Sequence, residues 1–331
     1  LPIRKWASSL QAYRRNRIKI LYMNILSIVW NWDPSLITIG DFDIRWYGLM
    51  WALGILAAER ICYFTFTKEG LPPKTVESGF IWIVLGTFIG ARVGHCLFYE
   101  PETYLLEPWK IITGIRDGGM ASHGATIGIF LGIWFFTKRN HLPFIWGLDR
   151  IAIVAPLSGA IIRLGNLFNS EIVGYQTDLP WGFKFVYSDA RMEWMMTDGN
   201  VPAEIIADLP ARHPAQIYEA LCYFATFALI FWLYYRKDLG RRRPGLLFGV
   251  AMIGLFLTRF FIEFCKERQV AFEEGMVLDM GQMLSIPFFV LGIYMIIRAY
   301  KRPEVTDVNA VVSNANRLYA NELKKKNKGR K

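Results

Sequence analysis

Apolar residues along the chain gather into runs of about 20, long enough for a helix to cross the roughly 30 Å of hydrocarbon in a bilayer. The runs fall near Arg45–Phe66, Glu77–Tyr99, Ser122–Thr137, Ile145–Phe168, Pro214–Tyr235, Gly245–Cys265 and Gly281–Ala299. Polar segments with Gly and Pro separate them, so the pattern predicts an all-α membrane protein, a bundle of about seven transmembrane helices. The third run is short, and Pro156 interrupts the fourth. Within the second run, Gly86, Gly90 and Gly94 recur at a spacing that lets two helices approach closely, which is packing rather than chemistry.

The segments between and beyond the runs set the domain plan. Residues 23–302 form the transmembrane domain. Within it, residues 169–213 are rich in Gly, Pro, Asp and Trp and read as a small extracytoplasmic head, too short for an independent domain. Residues 303–331 form a basic tail, expected as a disordered or helical surface extension. Residues 1–22 carry Arg4, Lys5, Arg14, Arg15, Arg17 and Lys19 ahead of Met23 and are expected to be a non-native or poorly ordered extension, with a signal peptide as the alternative.

Charge in the loops gives the orientation. Lys68 and Lys74, then Lys138 and Arg139, then Arg236, Lys237, Arg241, Arg242 and Arg243 follow the first, third and fifth runs, and the chain ends KKKNKGRK. The alternate loops mix acids with bases. The positive-inside rule then puts the N-terminus outside and the C-terminus in the cytoplasm. This placement accounts for the net charge of +10 better than nucleic-acid binding does.

Composition agrees with a membrane class: 53% of residues are hydrophobic and 15% aromatic. Cys62, Cys96, Cys222 and Cys265 lie in or at the ends of apolar runs and form no CxxC pair, so they read as small buried hydrophobes and not as a disulfide framework or zinc site.

A charge at mid-bilayer costs about 2.5–3.5 kcal/mol on insertion scales, so charged residues inside the runs are expected to face the bundle interior. Arg259 and Glu263 share a helix face and read equally well as a structural ion pair or a functional one. Glu59 and Arg60 are adjacent, expected to point apart and to serve structure. At the end of the fourth run, GAIIRLGNLFNSEIVG brings Arg163, Asn166, Asn169, Glu171 and Gly174 together. This could be a helix end unwinding, or a site in which the planar guanidinium fork meets a phosphate. His123 follows a double glycine, and His213 opens HPAQIYE. No metal spacing, nucleotide loop or GxSxG elbow occurs, so no metal and no cofactor is expected.

The blocks, in order, resemble the prolipoprotein diacylglyceryl transferase family. They are RWYGLM at Arg45–Met50, GARVGHCLFY at Gly90–Tyr99, DGGMASHGA at Asp117–Ala125, RLGNLFNSEIVG at Arg163–Gly174, RHPAQIYEA at Arg212–Ala220, RFFIEFCKE at Arg259–Glu267 and GQMLSIP at Gly281–Pro287. Ile162 and Ala125 stand where the family usually has Gly, changes that bear on backbone detail. The resemblance implies a bacterial plasma (inner) membrane enzyme, expected as a monomer. It takes diacylglycerol from phosphatidylglycerol, places it on the lipobox cysteine of prolipoprotein signal peptides and releases glycerol phosphate.

Chemistry then assigns expected roles. Arg163 and Arg259 suit the phosphate, and Glu263 would orient Arg259. His123 suits the base that takes the thiol proton. The resemblance further implies that Tyr47, Asn166, Glu171, Gly174, His213, Tyr218 and Glu219 bind substrate, with membrane lipids as neighbours, and residues 169–213 are expected to act as a movable lid. A transporter or channel also fits buried Arg and Glu residues. No Ser–His or Asp–Asp pair for an intramembrane protease can be read, and a purely structural bundle is the remaining alternative.

Overall fold

The computed structural model describes residues 27–40, 42–98, 100–114, 119, 121–268 and 275–328. The expectations for residues 1–22 and for Met23 lie outside them. Eight helices of 18 or more residues are present among the described residues: α1 (Trp46–Lys68), α2 (Pro73–Phe98), α3 (Ser122–Arg139), α4 (Phe144–Phe168), α5 (Ala215–Tyr235), α6 (Leu246–Glu263), α7 (Met280–Lys301) and α8 (Ala310–Lys328). The first seven match the seven apolar runs closely. Six of them, all but α3, are long and apolar enough to cross a membrane. The α3 helix forms as expected, but Ser122 and His123 at one end and Lys138 and Arg139 at the other dilute its short apolar centre. Pro156 sits inside a continuous α4.

Strand content is small. β1 (Ile28–Trp30) pairs in parallel with β4 (Phe183–Phe185), Ile28 opposite Phe183. β2 (Ser35–Ile39) and β3 (Phe42–Arg45) form an antiparallel hairpin leading into α1.

The chain divides into two compact units. One is drawn from Leu1–Ile55, Pro156–Thr226 and Met252–Val290; the other from Leu56–Ala155, Phe227–Ala251 and Leu291–Lys331. In the first, Leu167, Val173, Phe183 and Phe185 make a small core against Trp30, whose indole donates to the Leu167 carbonyl at 3.0 Å. The segment 169–213 adds a second core, Val186, Ala190 and Val201 packed by Trp194. Its Lys184 is buried and donates to the Ile206 and Ala207 carbonyls, at 3.0 and 2.7 Å. Desolvation lowers the Lys184 pKa below its ordinary value.

In the second unit, α2 and α3 pack glycine against glycine. A Cβ on Gly94 would stand 2.6 Å from the Gly124 Cα, and one on Gly90 would stand 2.8 Å from the Gly128 Cα. The Gly86/Gly90/Gly94 stripe therefore meets a second stripe on α3, Gly124 and Gly128. The glycine that touches α2 is Gly124, so Ala125 leaves this packing intact. Arg150 and Glu69 form a sealed pair at 2.6 Å, and the same carboxylate accepts from the Trp146 indole at 2.8 Å and the Tyr234 hydroxyl at 2.9 Å. Asp149, also buried, accepts from the backbone N–H groups of Gly245 and Phe248 at 2.6 and 2.9 Å, capping the start of α6.

Two expectations change and one open alternative is decided. Glu59 and Arg60 do pair, at 3.4 Å, because the long Arg side chain folds back along the helix. The tail takes the helical alternative: Val312 and Ala315 of α8 are buried against Phe66, Leu71 and Trp146. Only Cys62 and Cys96 are buried, whereas Cys222 faces outward from α5.

A charged site at the span ends

Every polar group of the site belongs to the first unit and sits near an end of a span. Arg163 lies in the last turns of α4, Arg259 and Glu263 in the last turns of α6, and Glu219 in the second turn of α5. Cations near helix C-termini and a carboxylate near an N-terminus are each favoured by the helix dipole.

The groups form a chain of contacts. Arg163 Nε stands 2.5 Å from Glu219 Oε2, and the Glu219 side chain is fully buried. Glu219 Oε1 lies 3.5 Å from Lys266 Nζ, which stands 2.9 Å from Glu263 Oε2. Glu263 Oε2 in turn lies 4.0 Å from Arg259 Nε. Gly281 makes room for this carboxylate: a Cβ there would meet the Glu263 Cδ at 2.6 Å. The expected Arg259–Glu263 pair is thus present but long, because Lys266 holds the carboxylate more closely. Arg259 is the most exposed member, its side chain at 38%, and it makes no hydrogen bond among the described residues.

On the other side of Arg163, its second nitrogen donates to Asn166 Oδ1 at 3.1 Å. Asn166 is buried and donates to Glu171 Oε1 at 2.7 Å; Asn169 reaches the same oxygen at 3.5 Å. The Glu171 carbonyl accepts from Gln216 Nε2 at 2.6 Å. Between Glu171 and Gly174 the backbone is strained: Ile172 holds φ of 60°, a conformation that β-branched residues rarely take.

Gly174 knits three sequence blocks. Its N–H donates to the His213 carbonyl at 3.0 Å, it bridges Lys266, and a Cβ there would stand 2.5 Å from both the Cys265 carbonyl oxygen and the His213 Cβ. His213 Nδ1 lies 3.2 Å from the Tyr218 hydroxyl, which accepts from the Trp181 indole at 2.9 Å. Desolvation lowers the His213 pKa, which favours the neutral ring. Next to it, burial alone would lower the Arg212 pKa, but Asp189 at 2.8 Å and Glu267 at 3.2 Å raise it. Tyr47 packs on the same helix end, its ring 3.1 Å from where a Gly165 Cβ would stand.

The structure therefore gathers Tyr47, Arg163, Asn166, Glu171, Gly174, His213, Tyr218, Glu219, Arg259 and Glu263 into one unit. His123 is the exception: it opens α3 in the second unit, and its side chain lies outside those described. Lys266 and Gln216 are members that the sequence reading did not single out. Lys266 stands three residues after Glu263, a pairing distance past a helix end, but in a mixed-charge loop that reads as topology. Among the described residues, no group of three or more His, Cys, Asp or Glu side chains could hold a metal ion.

Comparison with known proteins matches residues 34–298 to the model of one family, described as prolipoprotein diacylglyceryl transferase. The phosphatidylglycerol–prolipoprotein diacylglyceryl transferase of Porphyromonas gingivalis is 46% identical over 282 residues, covering 83% of this chain and 96% of that protein. The protein of the same name from Bacteroides fragilis is 38% identical over 294 residues, 85% and 98% of the two chains. That from Chloroherpeton thalassium is 38% identical over 279 residues, 84% and 96%.

Proposed function

The chain belongs to the prolipoprotein diacylglyceryl transferase family, and we propose that the charged site at its span ends carries out the family reaction. It is a multi-pass membrane transferase. The substrates are phosphatidylglycerol and a prolipoprotein, and the reaction is the first step of lipoprotein maturation. The lipobox thiolate attacks the glyceryl carbon of the lipid. A C–S bond forms, the C–O bond to the phosphate breaks, and glycerol phosphate leaves with the bonding pair.

Such a site must hold an anionic phosphate and stabilise the charge that grows on the leaving oxygen. The observation that carries the reading is Arg259, half-buried and only loosely paired, at the end of a chain of fixed charges that includes Arg163. A guanidinium held in a poorly solvated site stabilises developing charge without reorganising. Asn166 and Glu171 fix Arg163 from the other side, and Tyr47, His213, Tyr218 and Gly174 shape the surrounding substrate site. The thiol proton, whose ordinary pKa near 8.5 needs help at neutral pH, is proposed to pass to His123 on the family resemblance alone.

We place seven spans, counting α3, in the bacterial plasma membrane, with the N-terminus and residues 169–213 outside and the C-terminus in the cytoplasm. The basic loops support this placement. The enzyme acts as a monomer.

Purified protein mixed with phosphatidylglycerol and a lipobox peptide is expected to raise the peptide mass by one diacylglyceryl group and to release an equal amount of glycerol phosphate. A folded wild type that yields neither product contradicts the assignment.

A further inference from the structure

Lys266 is an unusual residue to find sealed. Its side chain is 3% exposed, and a lysine ammonium is strongly hydrated and almost never fully buried unless paired. Its backbone is pinned from both sides. Residue 266 bridges Gly174, the Cys265 carbonyl accepts from Tyr175 N–H at 2.8 Å, and Glu267 N–H donates to the Val173 carbonyl at 3.1 Å. The ammonium is thereby delivered between two carboxylates at a fixed reach, 2.9 Å from Glu263 and 3.5 Å from Glu219.

One oxygen decides what this does. Glu263 Oε2 faces both Lys266 Nζ, at 2.9 Å, and Arg259 Nε, at 4.0 Å. Arg259 and Glu263 are one helical turn apart, a spacing at which they could close fully. Lys266 competes for that oxygen and has the nearer position. A charge-assisted hydrogen bond at 2.9 Å outweighs an ion pair at the limit of contact.

We propose that Lys266 is a positioning residue for the transfer reaction: by holding Glu263 it keeps the Arg259 guanidinium open for the phosphate of the lipid substrate. This rests on the reading of Arg259 as a phosphate-binding group. Without the ammonium, Glu263 turns to Arg259, and an incoming phosphate must first break that pair. The loss falls on capture of the anionic lipid, not on the peptide and not on the chemical step.

The test compares K266M, K266Q and K266R with wild type in steady-state assays with phosphatidylglycerol and a lipobox peptide. K266M and K266Q are expected to raise KM for phosphatidylglycerol about tenfold, keep kcat within about threefold and leave KM for the peptide unchanged. K266R, which restores a cation, is expected to return KM for the lipid to within about threefold of wild type. Melting temperature in detergent is read alongside. The proposal is overturned if KM for the lipid is unchanged in K266M and K266Q. It is overturned equally if both KM values rise together, if K266R fails to rescue, or if K266M and K266Q alike fail to fold, which would make Lys266 purely structural. An active wild type with unaffected variants sinks only the role of Lys266; an inactive, folded wild type sinks the transferase reading and this role with it.

Discussion

Arg163 and Glu219 meet across two helices, Nε to Oε2 at 2.5 Å, with the carboxylate fully sealed. Breaking a buried ion pair by removing one partner costs about 3–5 kcal/mol, because the other charge stays buried and uncompensated. E219Q keeps the shape but leaves Arg163 and Lys266 facing an uncharged amide. The variant is expected to melt several degrees below wild type and to lose about 100-fold or more in kcat/KM, as read by thermal unfolding in detergent and by the peptide mass assay. Wild-type melting in E219Q would show that the pair contributes nothing.

Gly174 is constrained by space and not by its dihedral angles. Alanine there drives a methyl group to 2.5 Å from the Cys265 carbonyl oxygen and the His213 Cβ. Both neighbours are held by backbone hydrogen bonds, so the clash separates the Lys266 segment from the His213 segment. G174A is expected to cost about 1–3 kcal/mol and to abolish most activity. Retained stability and turnover would mean that the segment relaxes freely.

His213 gives a pH dependence with a definite sign. Burial favours its neutral form, so the folded pKa lies below the ordinary value of 6.5. Well above pH 6.5 the ring is neutral in both folded and unfolded states and adds nothing. As pH falls through 6.5 and on through the lower folded pKa, the unfolded chain takes up the proton first and stability declines. Melting temperature is therefore expected to drop over that window in wild type, and H213Q to remove this component. An identical pH profile in H213Q would contradict the assignment.

The Glu69–Arg150 pair separates stability from chemistry. Both side chains are 1% exposed and lie in the unit that holds none of the Arg163–Arg259 charges. R150M strands a buried carboxylate that also binds Trp146 and Tyr234, at an expected cost of about 3–5 kcal/mol. The molecules that remain folded are expected to turn over at the wild-type rate, measured by normalising activity to the folded fraction.

The spans were legible because bilayer thickness imposes a run length: all seven apolar runs became helices within a few residues of their expected ends, and six of those helices are long and apolar enough to cross a membrane. Arg163, Asn166 and Glu171 were legible because polar groups crowded at a helix end stand out against an apolar background. Lys266 was not, since basic residues in loops ordinarily report topology, and only the backbone bridge to Gly174 shows that this one turns inward. The strain at Ile172 leaves no compositional trace. The parallel pairing of Ile28–Trp30 with Phe183–Phe185 was equally hidden, because three-residue strands far apart in sequence carry no periodicity. Glu59 and Arg60 show the limit of face arguments: adjacent residues diverge at Cβ, but a long guanidinium stem closes the gap.

In the proposed reaction the loosely held guanidinium at position 259 carries the lipid phosphate from binding to departure. Single-turnover transfer from phosphatidylglycerol to a lipobox peptide, compared between wild type and R259A at equal folded protein, tests it most directly. The rate in R259A is expected to be at least about 100-fold lower, the scale of losing one preorganised electrostatic partner. A rate within about threefold of wild type would contradict it.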